Sequence, residues 1–157
     1  MERNKRELLM KVYKIIIAAF LVFAAAGCSS LKLTQTDFAW PVESVLKIDQ
    51  QGAVSDNRFS FSVNVKPLFL AETKDSMSYQ GKELRIIRDS QGYFYTVAKG
   101  FKNVYIFQTY DGAFKLYDKV LLSEQGLEEP VMNQRPPYIE LIDGQNKYLL
   151  NKEGLKK

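Results

Sequence analysis

From about residue 40 onward, apolar and polar residues alternate with a period of two in many short segments, which is the pattern of half-buried β-strands. These segments are rich in Val, Ile, Phe and Tyr, residues that favour strands. No segment in this part of the chain has a long helical period. The predicted strands are Val42–Ile48, Arg58–Val65, Leu68–Glu72, Glu83–Arg88, Tyr93–Ala98, Val104–Tyr110, Ala113–Leu122, Tyr138–Ile142 and Lys147–Leu150.

Turn-forming residues separate the predicted strands. Asp111-Gly112 and Asp143-Gly144 are typical of two-residue loops in β-hairpins. Asp89–Gly92 is a four-residue Asp-x-x-Gly sequence, which also favours a turn. Between Gly81 and Gly112, glycines recur at intervals of 8 to 12 residues, the spacing of an antiparallel meander. The middle of the domain is therefore predicted to be a four-stranded up-and-down sheet.

Residues 123–137 interrupt this rhythm with three prolines, which remove backbone donors and favour extended backbone. We predict a long loop here, followed by a last hairpin. The ordered part should open near Phe38 and Trp40, with Trp40 closing one end of the core. The predicted fold class is all-β, either an antiparallel β-sandwich or a small open barrel, with an N-terminal signal helix before it.

The first 27 residues differ from the rest. Residues 1–14 are polar and basic, whereas residues 15–27 are apolar and carry no charge. Thirteen apolar residues in a helix span about 20 Å, less than the roughly 30 Å hydrocarbon core of a bilayer. A basic segment followed by a short apolar run is typical of an export signal, which starts at Met1 or at Met10.

The apolar run ends in Ala25-Ala26-Gly27-Cys28, which resembles the lipobox of bacterial lipoproteins. That resemblance implies cleavage before Cys28 and acyl chains on its sulfur and new amino group. Ser29 follows in place of the Asp that retains enteric lipoproteins at the inner membrane, so by analogy the outer membrane is expected. The resulting division is 1–27 signal peptide, 28–37 lipidated cysteine and tether, and 38–157 a single β-rich domain.

Charge and composition exclude several functions. Five basic and two acidic side chains precede Cys28, which leaves seventeen basic and sixteen acidic in the rest of a chain of net charge +4. The basic residues of the domain form no run, so nucleic acid is not an expected partner. Cys28 is the only cysteine and histidine is absent, which excludes an internal disulfide and imidazole-based catalysis. We expect no metal and no cofactor.

Aromatic residues crowd the predicted meander. If they line one exposed side of the sheet, they form a platform that could stack on sugar rings or on an extended peptide. The alternative is that one face packs into the core and the tyrosines lie at its margin. The candidate binding face consists of Tyr93, Tyr95, Tyr105, Phe107 and Tyr117.

Catalytic patterns are sparse. Carboxylates occur singly apart from Glu128-Glu129, so a glycosidase-like pair would have to be assembled by the fold. The single carboxylates considered are Glu72, Asp75, Glu83, Asp89 and Glu140. One Ser-x-x-Lys spacing, from Ser44 to Lys47, falls on a predicted strand, where alternation places the two side chains on opposite faces. The chain is therefore not expected to be an enzyme.

Residues 88–119 resemble one blade of an NHL-like β-propeller, because strands bearing aromatics alternate with Asp/Gly turns. A whole propeller needs at least four blades, so the resemblance is local. The sequence thus predicts a membrane-anchored envelope lipoprotein acting as a non-catalytic binding or structural module. Its partner would be an envelope protein, by strand addition, or a glycan. The alternatives are a carboxylate-based glycan-acting enzyme and a subunit of a larger envelope assembly.

Overall fold

The computed structural model describes residues 39–57 and 59–156, so the predicted signal peptide, Cys28 and the tether lie outside the described residues. The described chain contains one helix, α1, at Lys66–Thr73. Its strands are β1 Ser44–Lys47, β2 Ala53–Asp56, β3 Phe61–Asn64, β4 Glu83–Arg88, β5 Tyr93–Ala98, β6 Asn103–Tyr110, β7 Ala113–Leu121, β8 Val131–Arg135, β9 Tyr138–Asp143, β10 Asn146–Asn151 and β11 Gly154–Leu155.

A five-stranded antiparallel sheet with the order β1-β4-β5-β6-β7 forms the centre of the domain. Strands β4 to β7 are the predicted four-stranded meander, and β1 adds a strand at one edge. The observed bounds of β4 and β5 coincide with the predicted ones. The prediction of an all-β antiparallel fold is confirmed.

The turn between β6 and β7 follows directly from its sequence. Asp111 and Gly112 have φ angles of 54° and 76°, and a type I′ turn requires positive φ at both central residues. Glycine adopts this conformation without steric cost, and aspartate tolerates it better than most residues. Tyr110 therefore pairs directly with Ala113 across the turn, which fixes the register of the hairpin.

A second sheet has the order β11-β10-β9-β8. It contains the predicted last hairpin, formed by β9 and β10. The predicted loop over 123–137 is wrong at its end, because Val131–Arg135 forms β8 and pairs with β9. Pro136 and Pro137 occupy the turn between these strands, where no ladder hydrogen bond requires their missing N–H groups.

The third part is the β2–β3 hairpin followed at once by α1. The prediction of a strand over Leu68–Glu72 is wrong, because these residues belong to α1. Pro67 lies in the first turn, where its missing N–H costs nothing. Lys74 closes the helix with a left-handed φ of 63° and an N–H donated to Leu70 O. An apolar run this short does not distinguish a helix from a strand.

The central sheet is covered on both faces, since every residue of Tyr93–Ala98 in β5 is buried. On one face, Phe94 contacts Trp40 and Phe114 contacts Phe61 of β3, with ring centroids 5.4 and 5.8 Å apart. We call this the helix-covered face, because the β2–β3 hairpin and α1 lie over it. On the other face, β4 contacts β8 and β7 contacts β11. This is the sheet-covered face.

Trp40 closes one end of the core, as predicted. Its side chain is 2% exposed and stacks on Phe59 at 3.7 Å between ring centroids. The Trp40 backbone N–H donates to Arg88 O at 2.9 Å. The described chain therefore enters the fold beside the last residue of β4.

Candidate functional site

The register between β5 and β6 divides the five predicted aromatic residues between the two faces. Tyr105 is paired with Thr96 and Phe107 with Phe94, and directly paired residues share a face. Tyr93 and Tyr95 alternate with these β5 residues and therefore point to the opposite, sheet-covered face. This corrects the expectation of one continuous aromatic platform, which the sequence alone could not test because it does not specify the register.

Tyr95 is fully buried on the sheet-covered face. Its hydroxyl donates to the Asp89 carboxylate at 2.9 Å. The same carboxylate accepts the backbone N–H groups of Gln91 and Tyr93, which closes the turn before β5. Burial, reinforced by the neighbouring Asp89 charge, raises the pKa of the Tyr95 hydroxyl. Tyr95 is thus part of the core and of a turn.

Tyr105 lies on the helix-covered face and is 3% exposed. Its hydroxyl donates to Glu72 of α1 at 2.7 Å. Glu72 also accepts the backbone N–H of Lys102 and the side-chain amide of Asn103, each at 2.7 Å. Burial, followed by the hydrogen bond to Glu72, raises the pKa of the Tyr105 hydroxyl. These three bonds fasten the end of α1 to the start of β6.

Tyr117 occupies a β-bulge. Ile106 is paired with Asp118 and Phe107 with Leu116, so Tyr117 has no partner in β6. A bulge re-aims the side chains of the strand that contains it. The Tyr117 ring meets Tyr93 on the sheet-covered face at 4.9 Å between centroids, and half of the Tyr117 side chain stays exposed.

Phe107 lines a pocket on the helix-covered face, between the central sheet, β3 and α1. The pocket has a volume of about 150 Å³. Its lining consists of Val63, Asn64, Val65, Pro67, Leu68, Leu84, Ile86, Thr96, Phe107 and Phe114. The sequence indicated Phe107 but not the pocket, because Pro67 and Leu68 line it from α1 and Leu68–Glu72 was predicted to be a strand.

Two polar side chains interrupt the apolar lining of this pocket. Thr96 is 2% exposed, whereas Asn64 is exposed and accepts the Lys66 N–H at 3.0 Å. An apolar cavity of about 150 Å³ can take up a molecule the size of benzene. The pocket is therefore suited to one aromatic ring or a branched alkyl group.

Several of the carboxylates considered for catalysis form hydrogen bonds or ion pairs within the domain. Glu72 and Asp89 hold the hydrogen bonds described above, and Glu140 forms an ion pair with Arg135. Glu128 and Glu129 donate their backbone N–H groups to Asp143, and these two bonds do not involve the Glu128 and Glu129 carboxylates. Over residues 39–57 and 59–156, no group of three or more acidic or cysteine side chains could hold a metal ion.

Glu43 links the two sheets. It forms an ion pair with Arg85 of β4 and accepts the backbone N–H of Met132 in β8 at 2.9 Å. Burial raises the pKa of Glu43 in spite of the opposing effects of the Met132 N–H and the Arg85 charge. This contact joins the edge of β8 to the central sheet.

Comparison with known proteins identifies no relative. No family model, no curated protein sequence and no solved structure matches the chain. In the part of the chain that the structure describes, no helix is long and apolar enough to cross a membrane.

Proposed function

We propose that the chain is a lipid-anchored protein of the bacterial cell envelope whose β-domain is a non-catalytic binding module. The anchor is the acylated Cys28, and the expected location is the outer membrane. The binding site is the pocket on the helix-covered face, which takes one small apolar group from its partner. The observation that carries this binding function is a preformed apolar pocket, since ligand sites are usually concave, apolar and largely preformed.

The anchor is supported by the sequence before the folded domain. A basic segment, thirteen uncharged residues and Ala25-Ala26-Gly27-Cys28 follow one another in the order of a lipoprotein signal. One acyl chain gives only marginal membrane binding, whereas two or more hold a protein stably. Acylation at both the sulfur and the amino group of Cys28 would therefore keep the domain at its membrane.

The size of the pocket limits the ligand. Drug-sized ligands fill pockets of about 300 to 1,000 Å³, so a pocket of about 150 Å³ accepts only one group of a larger molecule. An apolar side chain of an envelope protein, or an apolar substituent of a glycan, has the required size. Specificity would come from Thr96 and Asn64, the two polar side chains of the lining.

Intact-protein mass spectrometry of the membrane fraction tests the anchor. We expect the wild-type chain to begin at Cys28 and to carry acyl mass, and we expect Cys28→Ala to stay unprocessed. The neighbouring Ser29→Ala variant is the matched control and should be processed and acylated like the wild type. An unprocessed wild-type chain with an unmodified cysteine would refute the proposal.

A further inference from the structure

The end of the central sheet at Arg88, which we call the Arg88 end, is where the described chain enters the fold. Trp40 N–H is bonded to Arg88 O at the end of β4. Eleven residues separate Cys28 from Trp40, and a chain of this length spans at most roughly 36 to 40 Å when fully extended. With Cys28 anchored in the membrane, the distance from the Arg88 end to the membrane therefore cannot exceed the extended length of this tether.

The β6–β7 hairpin is the part of the central sheet that reaches farthest at this end. Tyr93, the first residue of β5, is paired with Gln108. Thr109 and Tyr110 continue β6 beyond that pair and are matched only by β7. Tyr110 is 72% exposed, the largest value among the exposed large apolar side chains of the described chain. The exposed ring of Tyr110 therefore lies at the tip of the β6–β7 hairpin.

Tyrosine and lysine side chains lie next to each other near several strand ends at the Arg88 end, and Tyr110 is the exposed tyrosine among them, since Tyr93 is 9% exposed and Tyr138 is half-buried. Gln134 at the end of β8 donates its side-chain amide to Arg88 O at 2.6 Å, which places the β8–β9 turn there. The lysine Nζ to tyrosine ring-centroid distances are 5.8 Å for Lys115 and Tyr110, 5.8 Å for Lys152 and Tyr93, and 4.4 Å for Lys156 and Tyr138.

The exposed pair of Tyr110 and Lys115 suits a lipid headgroup layer. Tyrosine is enriched at membrane–water interfaces because its ring is apolar and its hydroxyl is polar. A lysine can lay its methylene chain along apolar surface while its ammonium group stays in water. Anchoring at Cys28 also keeps the domain at a high effective concentration near the membrane surface. A contact too weak to recruit a free protein to the membrane can therefore still orient a tethered one.

We propose that the Arg88 end, led by Tyr110, rests on the interface of the membrane that holds Cys28. This inference rests on the lipid anchor proposed above. The occupant of the surface is the lipid headgroup layer itself. With Tyr110 at the lipid, the turn at Lys99 lies at the far end of β6, about 25 Å away for eight strand residues. The helix-covered face, which contains the pocket, is then at the side of the domain and accessible to partners in the envelope.

Fluorescence quenching by brominated lipids tests this orientation. Acylated mature chains, which begin at Cys28 and carry Tyr110→Trp or Lys99→Trp, are reconstituted in phosphatidylethanolamine–phosphatidylglycerol vesicles that contain brominated phosphatidylcholine. Both positions are exposed in turns or at their edges, so both variants should fold. The wild type supplies the signal of Trp40, the only native tryptophan. We expect the quenched fraction at position 110 to exceed that at position 99 at least twofold.

The two proposals fail in different ways. Equal quenching at positions 110 and 99 on floated vesicles would overturn the orientation and leave the lipid anchor intact. Absence of acyl mass on Cys28, together with absence of the chain from floated vesicles, would overturn the anchor and the orientation with it. As a second variant, Tyr110→Asp should lose the lipid-dependent protection of residues 108–115 from hydrogen exchange, and unchanged protection would also overturn the orientation.

Discussion

The two faces of the central sheet are covered in different ways, and one of them, the helix-covered face, contains a pocket. On the sheet-covered face, one antiparallel sheet packs on another, and Tyr95 is completely buried. On the helix-covered face, a two-stranded hairpin and an eight-residue helix lie over the same strands and leave a pocket of about 150 Å³. The side chains of two pleated sheets interdigitate closely, whereas a short hairpin and a short helix do not fill the whole area that they cover. We therefore expect the first face to contribute most to stability, and the second face contains the proposed binding site.

Truncating the sheet-covered core should have the largest effect. Tyr95→Ala removes a fully buried ring and should lower the free energy of unfolding by about 3 to 5 kcal/mol, measured by urea denaturation. Tyr95→Phe keeps the ring and loses only the bond to Asp89, so about 1 to 2 kcal/mol is expected. If Tyr95→Ala were as mild as Tyr95→Phe, the claim that this face is the tightly packed one would be wrong.

Releasing α1 should have a smaller effect that is confined to the helix-covered face. Glu72→Ala removes the acceptor for Lys102, Asn103 and Tyr105 and should cost about 2 to 3 kcal/mol. Hydrogen exchange should accelerate in α1, while β9 and β10 keep their protection. Glu72→Gln retains one acceptor oxygen and is the matched control. Uniform acceleration in both sheets would show that the two faces are not separable.

The half-exposed side chain of Tyr117 should contribute less to the free energy of unfolding than Tyr95 or Glu72. Tyr117→Ala removes one edge-to-face contact with Tyr93, and such a pair contributes about 0.5 to 1.5 kcal/mol. Thermal or urea unfolding of Tyr117→Ala and Tyr95→Ala under the same conditions compares their losses in free energy of unfolding directly. A loss above about 3 kcal/mol would mean that the bulge, and not the buried ring of Tyr95, organises the sheet-covered face.

The smallest expected effect is the pH dependence from Glu43, which joins the two sheets. Because burial raises the pKa of Glu43 above 4.5, the folded state binds the proton more tightly than the unfolded state. The contribution of Glu43 to stability should therefore increase as the pH falls from above the raised pKa towards 4.5. Urea unfolding of the wild type and Glu43→Gln from pH 7 to 4.5 isolates this difference. A difference that decreases with falling pH would contradict the assignment.

The parts of the fold that the sequence predicts are those with strict alternation between turn residues. β4 and β5 match their predicted bounds because Asp89–Gly92 and the glycine at 100 delimit them. No strand was predicted at β8, because Val131–Arg135 is mostly polar and is followed by two prolines. Its pairing with β9 outweighs local preference, which is typical of strands.

The candidate site was less predictable than the fold. Phe107 was identified among the aromatic residues, but the pocket depends on α1, whose short apolar run also fits a strand. Alternation within β5 and within β6 was evident from the sequence. The register between them, which separates Tyr93 and Tyr95 from Tyr105 and Phe107, is set by three-dimensional pairing. An aromatic-rich sequence therefore cannot by itself distinguish one platform from two separate faces.

The central claim is that the helix-covered face is the binding face, and methyl NMR of the compact unit Thr36–Lys157 with benzene as a probe tests it most directly. Binding at about millimolar Kd should shift the methyl signals of Ile86 and Thr96. Leu68→Trp fills the pocket and should abolish the saturable shifts, whereas Leu70→Trp, two positions along α1 and 48% exposed, should retain them. Saturable shifts that persist in Leu68→Trp, or their absence from the wild type, would contradict the account.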